Sequence, residues 1–176
     1  MNRHTAITPE SDVRETPPEL FTELNSRFRF TLDACATHSN AKCPRYYTES
    51  YYCLRGNVVH CESGGGLTGQ WDDSRVWVNP PFSDIGAWVL KAWDSRADLV
   101  CMLVPATRTE QSWWHDLVEP WRDGRGSPEG CGLKLTTEFL QGRTHFLKDG
   151  KPILDPKTGR RSSPKFGCCL LVWQKI

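Results

Sequence analysis

Apolar residues recur at helical spacing near the start of the chain. They predict an amphipathic helix over residues 17–27, with an apolar face made of Leu20, Phe21, Leu24 and Phe28. Thr16 stands at the expected N-cap, Pro17 at the first helical position, and Glu19 completes a T-x-x-E capping box. The sequence therefore predicts that this helix begins at Pro17.

Two later segments repeat the helical pattern. The first is capped by Ser83 or Asp84, and its apolar face collects Ile85, Trp88, Val89, Ala92 and Trp93. The second is capped by Thr109, and its inward residues are Trp113, Trp114, Leu117 and Val118. Because both tryptophans of the second helix fall on its apolar face, we interpret them as core residues rather than as platforms for stacked bases.

Short runs typical of strands separate these helices. Residues 28–32 alternate with a period of two and predict a strand that ends at Asp33. Further strands are predicted at residues 76–78, 99–104, 133–135, 145–147 and 168–173. Strands that alternate with helices through residues 17–120 predict an α/β domain with a mainly parallel sheet.

The chain of 176 residues has the size of one domain, 38% hydrophobic and 24% charged. We predict a single domain over 1–176, with a loose polar arm at 1–15 and a loop-rich basic region at 121–165. The glycines at 64–66 predict a flexible loop. No apolar run approaches the roughly 18 residues of a membrane span, and the first residues lack the apolar core of a signal peptide.

The eight cysteines do not form a recognisable framework. Cys101, Cys168 and Cys169 lie in apolar runs and are interpreted as buried thiols, which suits the reducing cytoplasm. The knuckle spacing of structural zinc sites is absent from the sequence, so we predict no metal site.

A net charge of +1 conceals an asymmetry. Residues 1–120 carry 11 Lys and Arg against 16 Asp and Glu, whereas residues 121–176 carry 11 against 5. A basic third of this kind favours a polyanionic partner, and a solvated basic surface is the alternative. The candidate phosphate contacts are Arg122, Arg125, Lys134, Arg143, Lys148, Lys151, Lys157, Arg160, Arg161 and Lys165.

The sharpest chemical motif is Asn79-Pro80-Pro81-Phe82, directly after a buried strand. Two prolines end a central strand, and the carboxyl edge of an open α/β sheet is where ligands bind. The rigid backbone lets the Asn79 side-chain oxygen and the Pro80 carbonyl face one point. Two such acceptors beside an aromatic ring suit a planar group that carries an NH₂.

The tetrapeptide resembles the (N/D/S)-P-P-(Y/F/W) signature of amino-group methyltransferases, and other segments narrow the likeness. Across about residues 11–175 the chain resembles the bacteriophage Dam-like DNA N6-adenine methyltransferases. The segments that carry this resemblance, in order, are T-P-P-E-L-F at 16–21, F-T-L-D-A-C-A at 30–36, N-A-K-C-P-R-Y-Y-T at 40–48, V-W-V-N-P-P-F-S at 76–83, L-V-P-A at 103–106, W-W-H-D at 113–116 and G-R-T-H-F at 142–146.

This resemblance implies a Rossmann-like methyltransferase fold that uses S-adenosylmethionine. The cofactor contacts it implies are Thr16, Pro17, Asp33, Cys35 and Ala36. Glu49 and Glu62 are alternative partners for the cofactor ribose, and we favour Glu49. The G-x-G loop that follows the first strand in many methyltransferases is absent from the sequence, and Arg14-Glu15 stand where the family often has an aromatic residue.

The resemblance also implies that Asn79, Pro80, Pro81 and Phe82 hold an adenine of double-stranded DNA, flipped out of the duplex and stacked on Phe82. Arg143, Lys157, Arg160 and Arg161 are the nucleic-acid contacts we single out. A covalent cysteine mechanism would need a Pro-Cys nucleophile, which the sequence lacks. Methylation of N4-cytosine, an RNA base or a protein glutamine remains open, as does a binding module whose catalytic site has decayed. The oligomeric state is not predicted.

Overall fold

The computed structural model of the chain describes residues 12, 14–49, 51–54, 57–60, 65–162 and 164–176, and only the backbone of the described residues within 51–60. Its helices are α1 (Pro18–Phe28), α2 (Gly65–Thr68), α3 (Ile85–Asp94) and α4 (Ser112–Leu117). Its strands are β1 (Leu32–Asp33), β2 (Arg45–Tyr47), β3 (Tyr51–Leu54), β4 (Asn57–His60), β5 (Arg75–Val78), β6 (Leu99–Pro105), β7 (Leu133–Phe139), β8 (Leu147–Lys148), β9 (Lys151–Pro152) and β10 (Cys168–Lys175).

Eight of these strands form one sheet in the order β4-β3-β2-β1-β5-β6-β10-β7. The neighbours β2, β1, β5 and β6 are parallel, and six of the eight strands described in this sheet run in one direction. Only β3 and β10 run in the opposite direction, and β10 lies between β6 and β7. The protein therefore has an α/β Rossmann-like fold, with a mostly parallel sheet flanked by helices, as expected.

The first helix departs from the prediction at both ends. It begins at Pro18, with Pro17 at the N-cap, and no side chain caps it, so the capping box predicted from Thr16 is wrong. At the other end Phe28 stays helical, and Arg29 turns into the left-handed region at φ 52°. The side chain of Asn25 then accepts the N–H of Phe30 at 2.8 Å. This local cap ends the helix, and the predicted strand shortens to β1.

The centre of the fold follows the predicted apolar pattern. Every residue of β6 is buried, because helices and loops cover both faces of the sheet there. The buried residues of α3 are the five predicted ones, and Asp84 is its N-cap. The fourth helix begins after Gln111 rather than after Thr109, yet Trp113 and Trp114 are buried as expected. Their role as core residues is confirmed.

The described residues of two segments that were predicted to be loose make specific contacts or belong to a helix. Most of the expected arm at 1–15 lies outside the described residues, but Glu15 is buried and pairs with Leu147 through two backbone hydrogen bonds of 2.9 and 3.0 Å. Within the glycine run, Gly65 and Gly66 belong to α2 and are buried. Within the described part of the chain, no helix is long and apolar enough to span a membrane.

Candidate active site at the carboxyl edge of the sheet

The carboxyl ends of β1, β2 and β5 meet beside a cavity of about 420 Å³. The chain passes from β1 to β2 on one side and returns to β5 on the other, so strand order reverses at β1. Such a switch point opens a crevice at the carboxyl edge of a parallel sheet. The volume of this cavity falls within the range of small-molecule sites.

The cavity brings together most of the residues predicted for cofactor and base. Those that line it are Thr16, Asp33, Cys35, Ala36, Glu49, Asn79 and Pro81. Pro17, Pro80 and Phe82 do not line it, and Glu62 lies outside the described residues. The lining residues come from segments far apart in sequence, so the fold gathers them at one place.

Asp33 ends β1 and is almost fully buried, with 2% of its surface exposed. Its two carboxylate oxygens accept the backbone N–H groups of Cys35 at 3.3 Å and of Lys42 at 2.9 Å. Burial raises the pKa of the Asp33 carboxyl to about 6, and these two N–H groups oppose the shift. The carboxylate thus folds the loop over residues 34–42 and supplies negative charge at the cavity wall.

A second carboxylate enters the cavity from the neighbouring strand. Glu49 follows the end of β2, two residues after Tyr47, and β2 pairs directly with β1. In sheets of this kind an acidic residue on the second strand binds ribose hydroxyls. Lys42 lines the same cavity and adds a positive charge.

Asn79 lies directly after β5, and a hydrogen bond to the segment before α1 sets the orientation of its side chain. Its side-chain Nδ2 donates to the backbone oxygen of Arg14 at 2.6 Å. Its Oδ1 is buried and, among the described residues, accepts no hydrogen bond. A buried acceptor without a donor costs free energy, on the order of 1–3 kcal/mol. Asn79 lines the cavity, so its side chain keeps a buried, unused acceptor next to the cavity wall.

The ring of Phe82 lies behind this wall rather than in the cavity. It is 6% exposed and packs edge-on against Phe146 and Phe166 at centroid distances of 5.8 and 5.9 Å. The guanidinium of Arg14 lies 5.8 Å from the centroid of the Phe82 ring. In this conformation Arg14 covers the ring that was expected to stack on a base.

The glycine run has a steric role that its sequence pattern does not indicate. A Cβ on Gly66 would stand 1.9 Å from the backbone oxygen of Ala34, and one on Gly65 would stand 2.1 Å from that of Thr48. Only glycine lets α2 approach the ends of β1 and β2 so closely. The glycines that pack against the end of β1 therefore belong to α2, a distant segment, and not to a G-x-G loop directly after β1.

Several further residues line the cavity although none of them was predicted to hold the cofactor or the base: Asp12, Arg14, Glu15, Thr37, Asn40, Lys42, Thr48, Leu67, Trp77, Asp84 and Trp88. Glu15 is the most specific of these. Its carboxylate accepts the N–H groups of Asp149 and Gly150, at 3.1 and 3.0 Å, in the turn between β8 and β9. This contact attaches the β8–β9 hairpin to the edge of the cavity.

The thiols are poor candidates for nucleophiles. Burial and the neighbouring Asp33 carboxylate raise the pKa of Cys35, which lines the cavity. Burial likewise raises the pKa of the Cys169 thiol to about 12. Because the thiolate is the reactive form, these groups stay inert near neutral pH.

Residues 3–123 match the sequence model of the family described as DNA N-6-adenine-methyltransferase (Dam). That range is more than half of the chain and includes every residue named above as lining the cavity. The chain belongs to the DNA N-6-adenine-methyltransferase (Dam) family.

Comparison with individual proteins adds two relatives. The DNA N-6-adenine-methyltransferase of Escherichia phage T1 is 29% identical over 106 residues, which are 56% of this chain and 39% of that protein. The chain thus spans about two-fifths of the length of this curated relative. A solved structure described as a proposed RNA methyltransferase from Pyrococcus horikoshii is similar with 17% identity and a TM-score of 0.31, over 57% of this chain and 43% of that one.

The family match ends at residue 123, so the G-R-T-H-F segment and most of the basic region lie beyond it. Beyond residue 123 the chain of this Dam-family protein nevertheless comes back to the edge of the sheet at which the cavity lies. Because Cys168 pairs with Pro105 at the carboxyl end of β6, the segment 140–167 between β7 and β10 starts and ends at that edge. The segment carries seven Lys and Arg against two Asp.

The four residues singled out for DNA are exposed and lie in this segment: Arg143, Lys157, Arg160 and Arg161. Asp155 orders the loop that carries three of them, because its Oδ1 accepts two backbone N–H groups at 2.8 Å. By contrast, Arg122 and Arg125 both pair with Glu119. These two candidate phosphate contacts are engaged within the protein.

Proposed function

We propose that this protein transfers a methyl group from S-adenosylmethionine to the N6 amino group of adenine in double-stranded DNA. Membership of the Dam family supports the reaction class. The observation that carries the proposal is the unused Oδ1 of Asn79, buried at the wall of a cavity that also holds two carboxylates. An acceptor held in this way suits a donor brought by the substrate, such as the amino group of a base.

The cavity fits the cofactor through its donor set. Asp33 supplies a carboxylate for the ammonium or ribose, Glu49 supplies one for the ribose, and Lys42 suits the cofactor carboxylate. Thr16 and the backbone around Cys35 complete this wall. When bound, S-adenosylmethionine supplies a methyl group already activated on a sulfonium.

The protein's own contribution is made at the adenine amino group. The nitrogen lone pair is delocalised into the ring and is a poor nucleophile. Asn79 Oδ1 and the Pro80 carbonyl each accept one of its N–H groups, which favours a tetrahedral nitrogen and stabilises the positive charge that develops there. Arg14 acts through Asn79, because its backbone oxygen fixes which amide atom faces the substrate. Position and electrostatics thus carry the acceleration.

The basic segment 140–167 is the proposed DNA contact. Phosphate contacts by Arg143, Lys157, Arg160 and Arg161 would hold the duplex over the cavity edge. An adenine inside a duplex is out of reach of Asn79, so the base must leave the stack to react. The energy of the phosphate contacts offsets the cost of unstacking.

The test is expression in cells that lack adenine methylation, followed by digestion of their DNA and mass spectrometry of the nucleosides. The proposal predicts N6-methyladenine with the wild type and strongly reduced N6-methyladenine with Asn79→Ala. Gln174→Ala, which removes an exposed amide at the opposite edge of the sheet, serves as the control and should behave like the wild type. N4-methylcytosine would overturn the choice of base. Unmodified DNA together with the absence of cofactor-dependent thermal stabilisation of the pure protein would favour a decayed site.

A further inference from the structure

Three phenylalanine rings converge behind Asn79 in a cluster that the proposed function does not yet use. Phe82 belongs to the N-P-P-F motif, Phe146 ends the G-R-T-H-F segment, and Phe166 precedes β10. Phe82 lies 5.8 Å from Phe146 and 5.9 Å from Phe166, and both pairs are close to perpendicular. The three rings form what we call the aromatic cage.

The cage is occupied by a flat, charged group. The guanidinium carbon of Arg14 lies 5.8 Å from the ring centroids of Phe82 and Phe146 and 5.4 Å from that of Phe166. Arg14 also lines the cavity. Arg14 therefore belongs to the cavity wall and also contacts the three rings. A guanidinium stacks on aromatic faces much as a nucleobase does, because both are planar and delocalised.

The cage is also joined to the acceptor that defines the proposed site. The backbone oxygen of Arg14 holds Nδ2 of Asn79, and Phe82 lies three residues after Asn79. A planar base that replaced the guanidinium would stack within the cage, next to the residue whose Oδ1 lacks a donor. Stacking on aromatic rings and an acceptor for an amino group are what a flipped adenine requires.

We propose that the cage of Phe82, Phe146 and Phe166 is the binding site of the target adenine, and that the Arg14 side chain occupies it until DNA displaces it. This inference rests on the proposed function and deepens it. It assigns base contacts to two residues from the segment 140–167, beyond the range of the family match. The same segment would then contact both the phosphates and the flipped base.

The direct test is a fluorescence titration of the pure protein with 2-aminopurine deoxyriboside, a planar adenine analogue that aromatic stacking quenches. Saturating S-adenosylhomocysteine keeps the nucleoside out of the cofactor cavity. Arg14→Ala removes the guanidinium and retains the backbone oxygen that holds Asn79, so we expect at least roughly tenfold tighter binding than the wild type. Arg96→Ala removes an exposed charge at the opposite edge of the sheet and should bind like the wild type.

Adding Phe146→Leu to Arg14→Ala should abolish the gain, because leucine retains bulk and loses the aromatic face. Binding by Arg14→Ala no tighter than the wild type would overturn the inference, because the guanidinium would then not occupy a base site. Arg14→Gln offers the same comparison if the alanine variant does not fold, which its thermal melt reports.

Methyl transfer provides a second, independent arm. Phe146→Leu and Phe166→Leu should lower kcat/KM for DNA by roughly 5- to 150-fold, since base–aromatic stacking contributes about 1–3 kcal/mol. Their dissociation constants for S-adenosylmethionine should stay within about twofold of the wild type. Phe139→Leu, on an exposed ring, should leave both unchanged. If Phe146→Leu and Phe166→Leu behave like Phe139→Leu while the wild type makes methyladenine, the cage is wrong and the proposed function stands.

Discussion

Replacing Asp33 by Asn should separate its two roles, because the substitution keeps the shape of the side chain and removes its charge. Keeping this carboxyl ionised in the folded protein costs free energy, since its pKa rises from 3.8 in the unfolded chain to about 6. At about 1.4 kcal/mol per pK unit, that cost is about 3 kcal/mol at pH 8. Asp33→Asn removes this cost and also loses the acceptor for the N–H of Lys42, a loss on the order of 1–3 kcal/mol.

The stability effect has a defined sign and pH window. The folded protein binds the Asp33 proton more tightly than the unfolded chain does, so this stability is present below pH 3.8 and is lost as pH rises through about 6. The asparagine variant has no such loss. We therefore expect the variant's free energy of unfolding to rise relative to the wild type by about 2–3 kcal/mol between pH 4 and pH 8. Urea unfolding at both pH values measures this difference.

The affinity for the cofactor should fall in the Asp33→Asn variant, although the pH-dependent loss of stability is removed. Losing a charge-assisted hydrogen bond costs about 1.5–3 kcal/mol, so Asp33→Asn should bind S-adenosylmethionine roughly 10- to 100-fold more weakly in calorimetry. In the wild type, affinity should fall as pH drops below 6 and the carboxyl is protonated, and it should level off at the 10- to 100-fold weaker binding of the variant. Wild-type affinity in the variant would refute the cofactor role of Asp33, and an unfolding difference that is flat with pH would refute its raised pKa.

Three further predictions concern the cavity floor, the hairpin and the DNA contact. Gly66→Ala should lower the free energy of unfolding by at least about 1–3 kcal/mol, because its Cβ would overlap the end of β1, whereas Gly167→Ala, with its nearest neighbour at 3.6 Å, should not. Glu15→Ala should speed amide hydrogen exchange in the turn between β8 and β9, and exchange at the wild-type rate would refute the anchor. Neutralising Lys157, Arg160 and Arg161 together should reduce the slope of log affinity for DNA against log salt concentration by nearly three. Neutralising the two arginines that pair with Glu119 should change this slope little. An unchanged slope in the first variant would mean that its three charges only solvate a loop.

The predictable part of the fold is the part in which local pattern and tertiary burial agree. The apolar stripe of α3 and the continuous run of β6 correspond closely to the structure, because both elements lie in the core, where the periodicity of burial is strongest. Asp33 and Asn79 could be placed at one edge for the same reason, whereas Glu49 is assigned only through the family resemblance, because no strand is predicted before it. Asp33 ends β1 and Asn79 follows β5, and the sheet makes these two strands parallel.

The unpredicted part depends on contacts between distant segments. The motif in the sequence assigns Phe82 to a base, but only the fold shows that Phe146 and Phe166 surround it and that Arg14 covers it. Likewise a glycine run indicates flexibility on its own. Its role becomes clear only once Gly66 lies against the backbone oxygen of Ala34. The start of α1 differs for a local reason, because either of two adjacent prolines suits the first helical position.

The central claim is that Asn79 presents its oxygen to an adenine amino group. The measurement is methyl transfer by the purified protein from S-adenosylmethionine with a deuterated methyl group to unmethylated DNA, with the nucleosides identified by mass spectrometry. The account predicts deuterated N6-methyladenine with the wild type. It predicts a rate roughly 10²–10³-fold lower for Asn79→Ala, by analogy with the loss of one oxyanion-hole donor, and nearly unchanged cofactor binding. Asn79→Asp retains an oxygen acceptor and should keep part of the activity. A wild-type rate from Asn79→Ala, or a label on cytosine, would contradict the account.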